Sequence, residues 1–219
     1  MGSRTVLRRS ALVMALAFTV HALNGLFIER AVLGLKSYTD YSVITKLDTA
    51  IGSIPWRASG VGHFLTAFAV LVLSVGLAER ARDDGYAAWR LIAALGTVSA
   101  AGFAVNGVSA SIGAQVVDLL QKYNPAEPTS SPIVALTLIV SVLNAVAITM
   151  FAGMLISVSV WARRTGALPR GLIITGWIAG ISGLIMGFAY IPAYLFVYLV
   201  WLWWFVAVVP ERRGATSTA

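Results

Sequence analysis

Long apolar runs separated by short polar segments dominate the chain, and they predict membrane-spanning helices. A hydrocarbon core of about 30 Å requires roughly 20 consecutive, mostly apolar residues in a helix. Six runs approach or exceed this length, and they lie at about 10–28, 60–78, 90–111, 133–161, 171–188 and 192–209. We therefore predict an all-α fold, a polytopic transmembrane bundle of six helices that forms a single domain over residues 1–219.

The last two spans come from one continuous apolar stretch, residues 171–209. A single helix of this length would be roughly 58 Å long at 1.5 Å per residue, about twice the hydrocarbon core. Pro192 lies near its middle, and proline has no N–H to continue the helical hydrogen bonds. The stretch therefore predicts a tight hairpin of two spans.

The first long connection, residues 31–58, contains a second helical pattern. Asp40 is suited to cap its start, and Pro55 is suited to stop it. Its apolar positions recur on one helical face, at Val43, Ile44, Leu47, Ala50, Ile51 and Ile54. We expect an amphipathic helix over 41–54 that lies on the membrane surface or covers the bundle.

Composition supports the membrane interpretation. Only 11% of the residues are charged and 58% are hydrophobic, whereas a soluble domain has about 25% charged residues. The absence of cysteine excludes disulfides, thiolate metal sites and cysteine nucleophiles. The net charge of +7 does not indicate nucleic acid, because basic residues in short loops orient membrane helices.

The positions of the basic residues predict the topology. With six spans and the N-terminus inside, eleven Lys and Arg fall in inner segments and five in outer segments. We expect both termini in the cytoplasm and a multi-pass protein of the bacterial plasma membrane. Arg8 and Arg9 before an apolar run also resemble a signal peptide, but no small-x-small site follows the run, so we expect an uncleaved first span.

Five polar side chains inside the predicted spans are the candidate ligand-binding residues: His21, Asn24, His63, Asn106 and Asn144. Counting from the charged span ends at 1.5 Å per residue places all five in the outer half of the bilayer. Polar side chains in lipid normally face the bundle interior. Two interpretations remain open: a polar ligand pocket, or side chains that only hydrogen-bond one helix to another.

His21 and His63 are the two histidines of the chain, and they occupy adjacent antiparallel spans. Neutral imidazole is a common axial ligand of haem iron. A haem b between the two rings is therefore one hypothesis. Their estimated depths differ by about 6 Å, so the spans would have to tilt to bring them level.

Small residues four apart in the fifth span predict close helix packing, within the bundle or in a homodimer. They are Gly176, Gly180, Gly183 and Gly187.

Three classes of function fit these patterns. The first is a non-enzymatic membrane protein that binds a small or lipidic ligand or acts as an accessory subunit of a membrane complex. The others are a haem b redox subunit and a small-solute transporter or channel. The absence of Asp and Glu inside the spans, and of HExxH, Walker A and GxSxG motifs, favours the first. The expected partners are the lipid bilayer and a homo-oligomer or larger complex.

The segment ARRTGALPRGLIITGWIAGISGLI, with its Leu168-Pro169-Arg170 turn, resembles the inner loop and fifth helix of an uncharacterised family of bacterial six-helix integral membrane proteins. The resemblance implies the six-span topology and assigns no site residues.

Overall fold

A computed structural model describes residues 3–28, 31, 53–123, 130–189 and 194–208. Within these ranges the chain forms helices joined by short turns and contains no strand, which confirms the predicted all-α class. The six α-helices are α1 (Ser3–Leu23), α2 (Ile54–Asp83), α3 (Trp89–Tyr123), α4 (Ser130–Thr165), α5 (Arg170–Ala189) and α6 (Tyr194–Val208). A π-helical turn, Asn24–Ile28, continues α1.

Four helices, α1 to α4, are long and apolar enough to cross a membrane. The remaining two contribute shorter apolar stretches, at Arg170–Ile185 and Leu195–Val208. The apolar stretch 171–209 thus contains two helices that pack against each other. This finding agrees with the length argument for a break.

The helices form a closed ring. Each packs against the next in sequence, and α1 also packs against α6. Arg8 near the start of α1 donates a hydrogen bond of 3.0 Å from Nε to the carbonyl of Val206 in α6. We call the end of the bundle where α1 ends and α2 begins the histidine end. The opposite end, which carries Arg80, Arg82, Arg163, Arg164 and Arg170, is the arginine end.

Large aromatic side chains fill the centre of the ring. Phe18 makes edge contacts with Phe103 and Tyr198, with ring centroids 5.7 and 6.3 Å apart, and Phe151 contacts Tyr198 at 5.0 Å. The Tyr198 hydroxyl donates to the carbonyl of Ile148 at 3.0 Å. These residues come from four different helices and are nearly or fully buried. They form the aromatic core, and such ring pairs stabilise packing beyond their buried area.

Two tight turns close the arginine end. Gly85 and Gly166 adopt φ values of +74° and +68°, a left-handed conformation that glycine reaches without steric cost. The Trp161 indole donates to Asp84 Oδ2 at 3.1 Å, so α4 holds the turn between α2 and α3. These contacts fix the antiparallel order of the helices.

The observed start of α2 corrects one expectation. Pro55 does not stop an amphipathic helix but lies in the first turn of α2, where its missing N–H costs no helical hydrogen bond. Ser53 caps this helix by accepting from the backbone N–H of Trp56 at 3.3 Å. Ile54, the last residue of the predicted amphipathic helix, is the first of α2, and most of the 41–54 segment lies outside the described residues.

Candidate functional site

The two histidines meet at the histidine end of the bundle. The imidazole centroids of His21 in α1 and His63 in α2 are 4.3 Å apart, with the rings tilted by 56°. His21 Nδ1 shares a hydrogen bond of 2.9 Å with the hydroxyl of Ser59, one turn before His63. The ring of His63 also stacks on Phe103 at 5.9 Å. The pair therefore rests directly on the aromatic core.

With the observed helix bounds, His21 and His63 no longer differ in their estimated depth. The first helical segment begins at Ser3 and continues through the π-turn to Ile28, so Arg8 and Arg9 lie inside it rather than before it. His21 and His63 then each lie about 8 Å from the midpoint of their own helical segment, at 1.5 Å per residue. No special tilt is needed to bring the rings level.

Asn24 joins the end of α1 to the start of α2. It opens the π-helical turn, and its Nδ2 donates to the carbonyl of Pro55 at 2.9 Å. π-Helical turns are uncommon and are found at functional sites more often than elsewhere. This bond fixes the two helix ends beside the histidine pair.

Asn106 lies at the level of the histidines, as the close contact between α2 and α3 beside it shows. A Cβ on Gly60 would lie 2.9 Å from the carbonyl oxygen of Gly107, and a Cβ on Gly107 would lie 2.6 Å from that of Gly60. Asn106 precedes Gly107, and His63 follows Gly60 by about one turn. Their levels therefore differ by about 3 Å at 1.5 Å per residue.

Asn144 in α4 lies close to the same level. A Cβ on Gly102 would lie 3.2 Å from the Cα of Ala147, and Ser99 donates to the carbonyl of Ala147 at 2.7 Å. In α4, Asn144 lies about one turn from Ala147 toward the histidine end. In α3, Asn106 lies about one turn from Gly102 in the same direction, so the two asparagines lie at similar levels. The structure thus brings residues of four helices to one end of the bundle. We call His21, Asn24, His63, Asn106 and Asn144 the His–Asn site.

The Asn106 amide is the exceptional group in the His–Asn site. Its side chain is 1% exposed, and within the described part of the chain neither Nδ2 nor Oδ1 has a hydrogen-bond partner. The indole Nε1 of Trp56, on α2, is also buried without a partner there. Each unpaired buried group costs about 1–3 kcal/mol, and native proteins keep few of them. Hydrogen bonding between helices accounts for Asn24 but not for Asn106.

The histidine geometry does not fit a haem b between the two rings. Nitrogens on opposite sides of one iron lie roughly 4 Å apart, which places their ring centroids roughly 6 Å apart. The observed centroids, 4.3 Å apart, are in direct contact. Separately from haem, which needs two axial ligands, the described residues contain no group of three or more His, Cys, Asp or Glu that could hold a bare metal ion. Haem ligation by His21 and His63 therefore remains a prediction only for a helix packing in which their two imidazole rings lie farther apart.

A groove of about 240 Å³ opens on the outer flank of the bundle between α2 and α3. Its lining is apolar apart from one threonine, and it consists of Phe64, Ala67, Phe68, Leu71, Thr97, Ala100, Ala101 and Ala104. No member of the His–Asn site lines this groove. The buried Ala67 and Ala100 lie between the groove and the bundle interior.

The glycines of α5 face neighbouring helices of the same chain. A Cβ on Gly180 would lie 3.0 Å from the carbonyl of Ala152 in α4, and one on Gly183 would lie 2.8 Å from the Tyr198 ring in α6. Gly176 and Gly187 approach Trp201 and Thr149 in the same way, at 3.0 and 2.8 Å. These positions are occupied by contacts within the chain.

Sequence reasoning missed Ser59, Phe103 and Trp56 as parts of the site. Ser59 lies four residues before His63, a spacing that places both on one helical face. Trp56 has the pattern of a membrane-interface anchor, and only the structure shows its indole N–H buried without a described partner. Phe103 contacts His63 from a different helix, which no local pattern indicates.

The fold and the site define a class rather than a family. The chain is an all-helical bundle whose four long apolar helices are compatible with a membrane protein. No protein-family model, no curated protein and no solved structure matches it.

Proposed function

We propose that this chain is a non-enzymatic, six-span protein of the bacterial plasma membrane that binds a small ligand in the His–Asn site. The excess of arginine at one end of the bundle supports placing that end, and both termini, in the cytoplasm. The resemblance of residues 162–185 to an uncharacterised bacterial six-helix family supports the same topology. The His–Asn site then lies in the outer half of the bilayer.

The unpaired amide of Asn106 carries the proposal. A carboxamide has two donor hydrogens and an accepting oxygen, and here none of them is used by the described protein groups. A leucine at this position would fill a similar volume without the cost of burying an unpaired amide. A bound molecule that hydrogen-bonds to Asn106 gives the amide a physical role.

The surroundings of Asn106 support a binding role. The contacting imidazoles of His21 and His63 lie at nearly the same level, and each neutral imidazole has one donor and one acceptor nitrogen. The aromatic core, which His63 touches through Phe103, supports the site from the arginine end. This packing holds the ring of His63 in place.

Native mass spectrometry of the protein released from mild detergent tests the proposal. We expect wild-type protein to carry a non-covalent adduct that Asn106→Leu loses. Val105→Leu is the matched control, because Val105 is the adjacent residue and its side chain is 49% exposed on the outside of the bundle. The control should keep the adduct. A wild-type protein without an adduct, or an adduct retained by Asn106→Leu, would contradict ligand binding at this position.

A further inference from the structure

We infer that an anionic phospholipid binds along the outer flank of α2 and α3, with its phosphate at Arg82 and Arg90 and one acyl chain in the apolar groove. The inference rests on the membrane topology of the proposed function and is independent of the ligand in the His–Asn site. The residues that form this lipid site lie within 60–107, all of which the structure describes.

The groove opens outward at the middle of α2 (Ile54–Asp83). On this helix it is bounded by Phe64, Phe68 and Leu71, whose side chains are 41, 57 and 37% exposed. On α3 its lining consists of alanines and Thr97. These small side chains leave a furrow beside the two phenylalanine rings. An apolar furrow at mid-membrane depth suits a hydrocarbon chain.

The same flank of both helices leads from the groove to two arginines. At about 100° per residue, Leu71 and Arg82 lie within about 20° of each other around α2. On α3, Arg90, Thr97 and Ala101 lie within about 40° of one another. All five side chains are exposed. The groove and the two guanidinium groups therefore belong to one continuous surface.

Trp89 holds the two guanidinium groups near each other. The Cζ atoms of Arg82 and Arg90 lie 5.8 and 5.3 Å from the centroid of its ring, which is within the range of cation–π attraction. Tryptophan is enriched at the depth of lipid headgroups, and the planar guanidinium group binds phosphate oxygens in pairs. The arrangement suits a headgroup phosphate.

The acidic residues of this hairpin leave Arg90 available. They all precede the turn, at Glu79, Asp83 and Asp84, and residues 85–117 contain no Asp or Glu. Asp83 lies 3.4 Å from Arg82, with the two side chains 70% and 55% exposed, and such exposed pairs contribute little. Asp84 accepts from the Trp161 indole. Within the described part of the chain Arg90 has no carboxylate partner.

The spacing along α3 fits one phospholipid. From Arg90 the groove begins at Thr97 and ends at Ala104, about 10 and 21 Å away at 1.5 Å per residue. The hydrocarbon of one leaflet is about 15 Å deep, half of the bilayer core. An acyl chain that extends from a phosphate at Arg90 therefore reaches the groove with its terminal half.

A second copy of this chain is a poorer occupant of the same flank. A symmetric dimer in one membrane relates its copies by a twofold axis along the membrane normal. Packing along this flank would place Arg82 and Arg90 of both copies opposite one another, and like charges at short distance repel. An anionic phospholipid has a charge that complements these arginines.

Native mass spectrometry of delipidated protein titrated with lipid tests the headgroup site. The probes are phosphatidylglycerol (anionic) and phosphatidylcholine (zwitterionic) with identical chains. We expect wild type to prefer phosphatidylglycerol. Arg90→Gln should weaken its binding about fivefold, as expected for one arginine near an anionic headgroup. Arg170→Gln is the matched control, because Arg170 is exposed at the same end but belongs to α5, which packs against α4 and α6. It should bind as wild type does.

A second pair of variants tests the groove. Ala101→Phe fills the groove and should weaken the binding of both lipids about fourfold or more, the loss of at least one buried methylene group. Val98→Phe is the control, since Val98 is 46% exposed on α3 and does not line the groove. It should leave lipid binding unchanged.

The other outcomes overturn the inference. No lipid adduct, equal binding of the two lipids by wild type, or equal weakening in Arg90→Gln and Arg170→Gln would exclude a headgroup site. Unchanged binding in Ala101→Phe would place the chain elsewhere, and a wild-type dimer that Ala101→Phe converts into a monomer would assign the groove to a second copy. Asn106→Leu should keep the lipid adduct, so the failure of this inference is distinguishable from that of the proposed function. If Arg90→Gln does not fold, Arg82→Gln replaces it.

Discussion

Replacing Asn106 by leucine should stabilise the ligand-free protein, which is the opposite of what a core polar substitution usually does. Leucine has nearly the shape of asparagine, with methyl groups in place of the amide oxygen and nitrogen. The wild-type amide is 1% exposed and unpaired among the described residues. Relieving an unpaired buried group is worth about 1–3 kcal/mol.

This gain in the free energy of unfolding corresponds to a rise in the unfolding temperature. For a domain of 150–250 residues, 1 kcal/mol moves the unfolding temperature by about 2–4 °C. We therefore expect Asn106→Leu, freed of ligand by exhaustive detergent exchange, to unfold several degrees above wild type. Val105→Leu should stay within about 0.5 kcal/mol of wild type, as exposed substitutions usually do.

The same measurement discriminates between the two interpretations of the polar side chains. Hydrogen bonds between membrane helices contribute about 0.6 kcal/mol on average and up to about 1.7 kcal/mol. If Asn106 makes such a bond, Asn106→Leu unfolds below wild type, and the reasoning from the unpaired amide is refuted. Adding the extracted ligand back should raise the wild-type unfolding temperature by linkage and leave the variant unchanged.

The remaining predictions concern helix packing and topology. Gly60→Ala should cost about 1–3 kcal/mol in thermal unfolding, because its Cβ would meet the carbonyl of Gly107 at 2.9 Å. Gly62→Ala, whose Cβ would meet nothing within 4 Å, should be neutral or stabilising by up to about 1 kcal/mol, and equal costs at both sites would disprove the close contact. Single cysteines at positions 87, 126 and 165 should be labelled by an impermeant external maleimide at 126 alone. Labelling at 165 instead would reverse the proposed orientation.

The sequence by itself determines the helical class and the approximate helices. Long apolar runs need internally satisfied backbone hydrogen bonds in lipid, and a helix provides them within one segment. The same argument predicts a break between α5 and α6, since one helix would be twice as long as the hydrocarbon core is thick. Polar residues within these runs also single out the candidate residues of the proposed His–Asn site, because each is costly in lipid and needs an interior position.

Helix ends and contacts between helices are decided only by the tertiary structure. Arg8 and Arg9 suggest a boundary in sequence, yet α1 runs through them, and Arg8 donates a hydrogen bond to the carbonyl of Val206 in α6. In the sequence Pro55 suggests the end of a helix. In the structure it lies in the first turn of α2, which Ser53 caps.

The state of each polar group is likewise a matter of tertiary contacts. His21, Asn24 and Asn106 look alike as isolated polar residues in apolar runs. In the bundle His21 bonds to Ser59 and Asn24 bonds to Pro55, while the backbones of Gly60 and Gly107 meet beside an Asn106 amide that the described residues leave unpaired. A hydrogen bond depends on distances of a few tenths of an ångström between helices, and no periodicity along one helix encodes that separation.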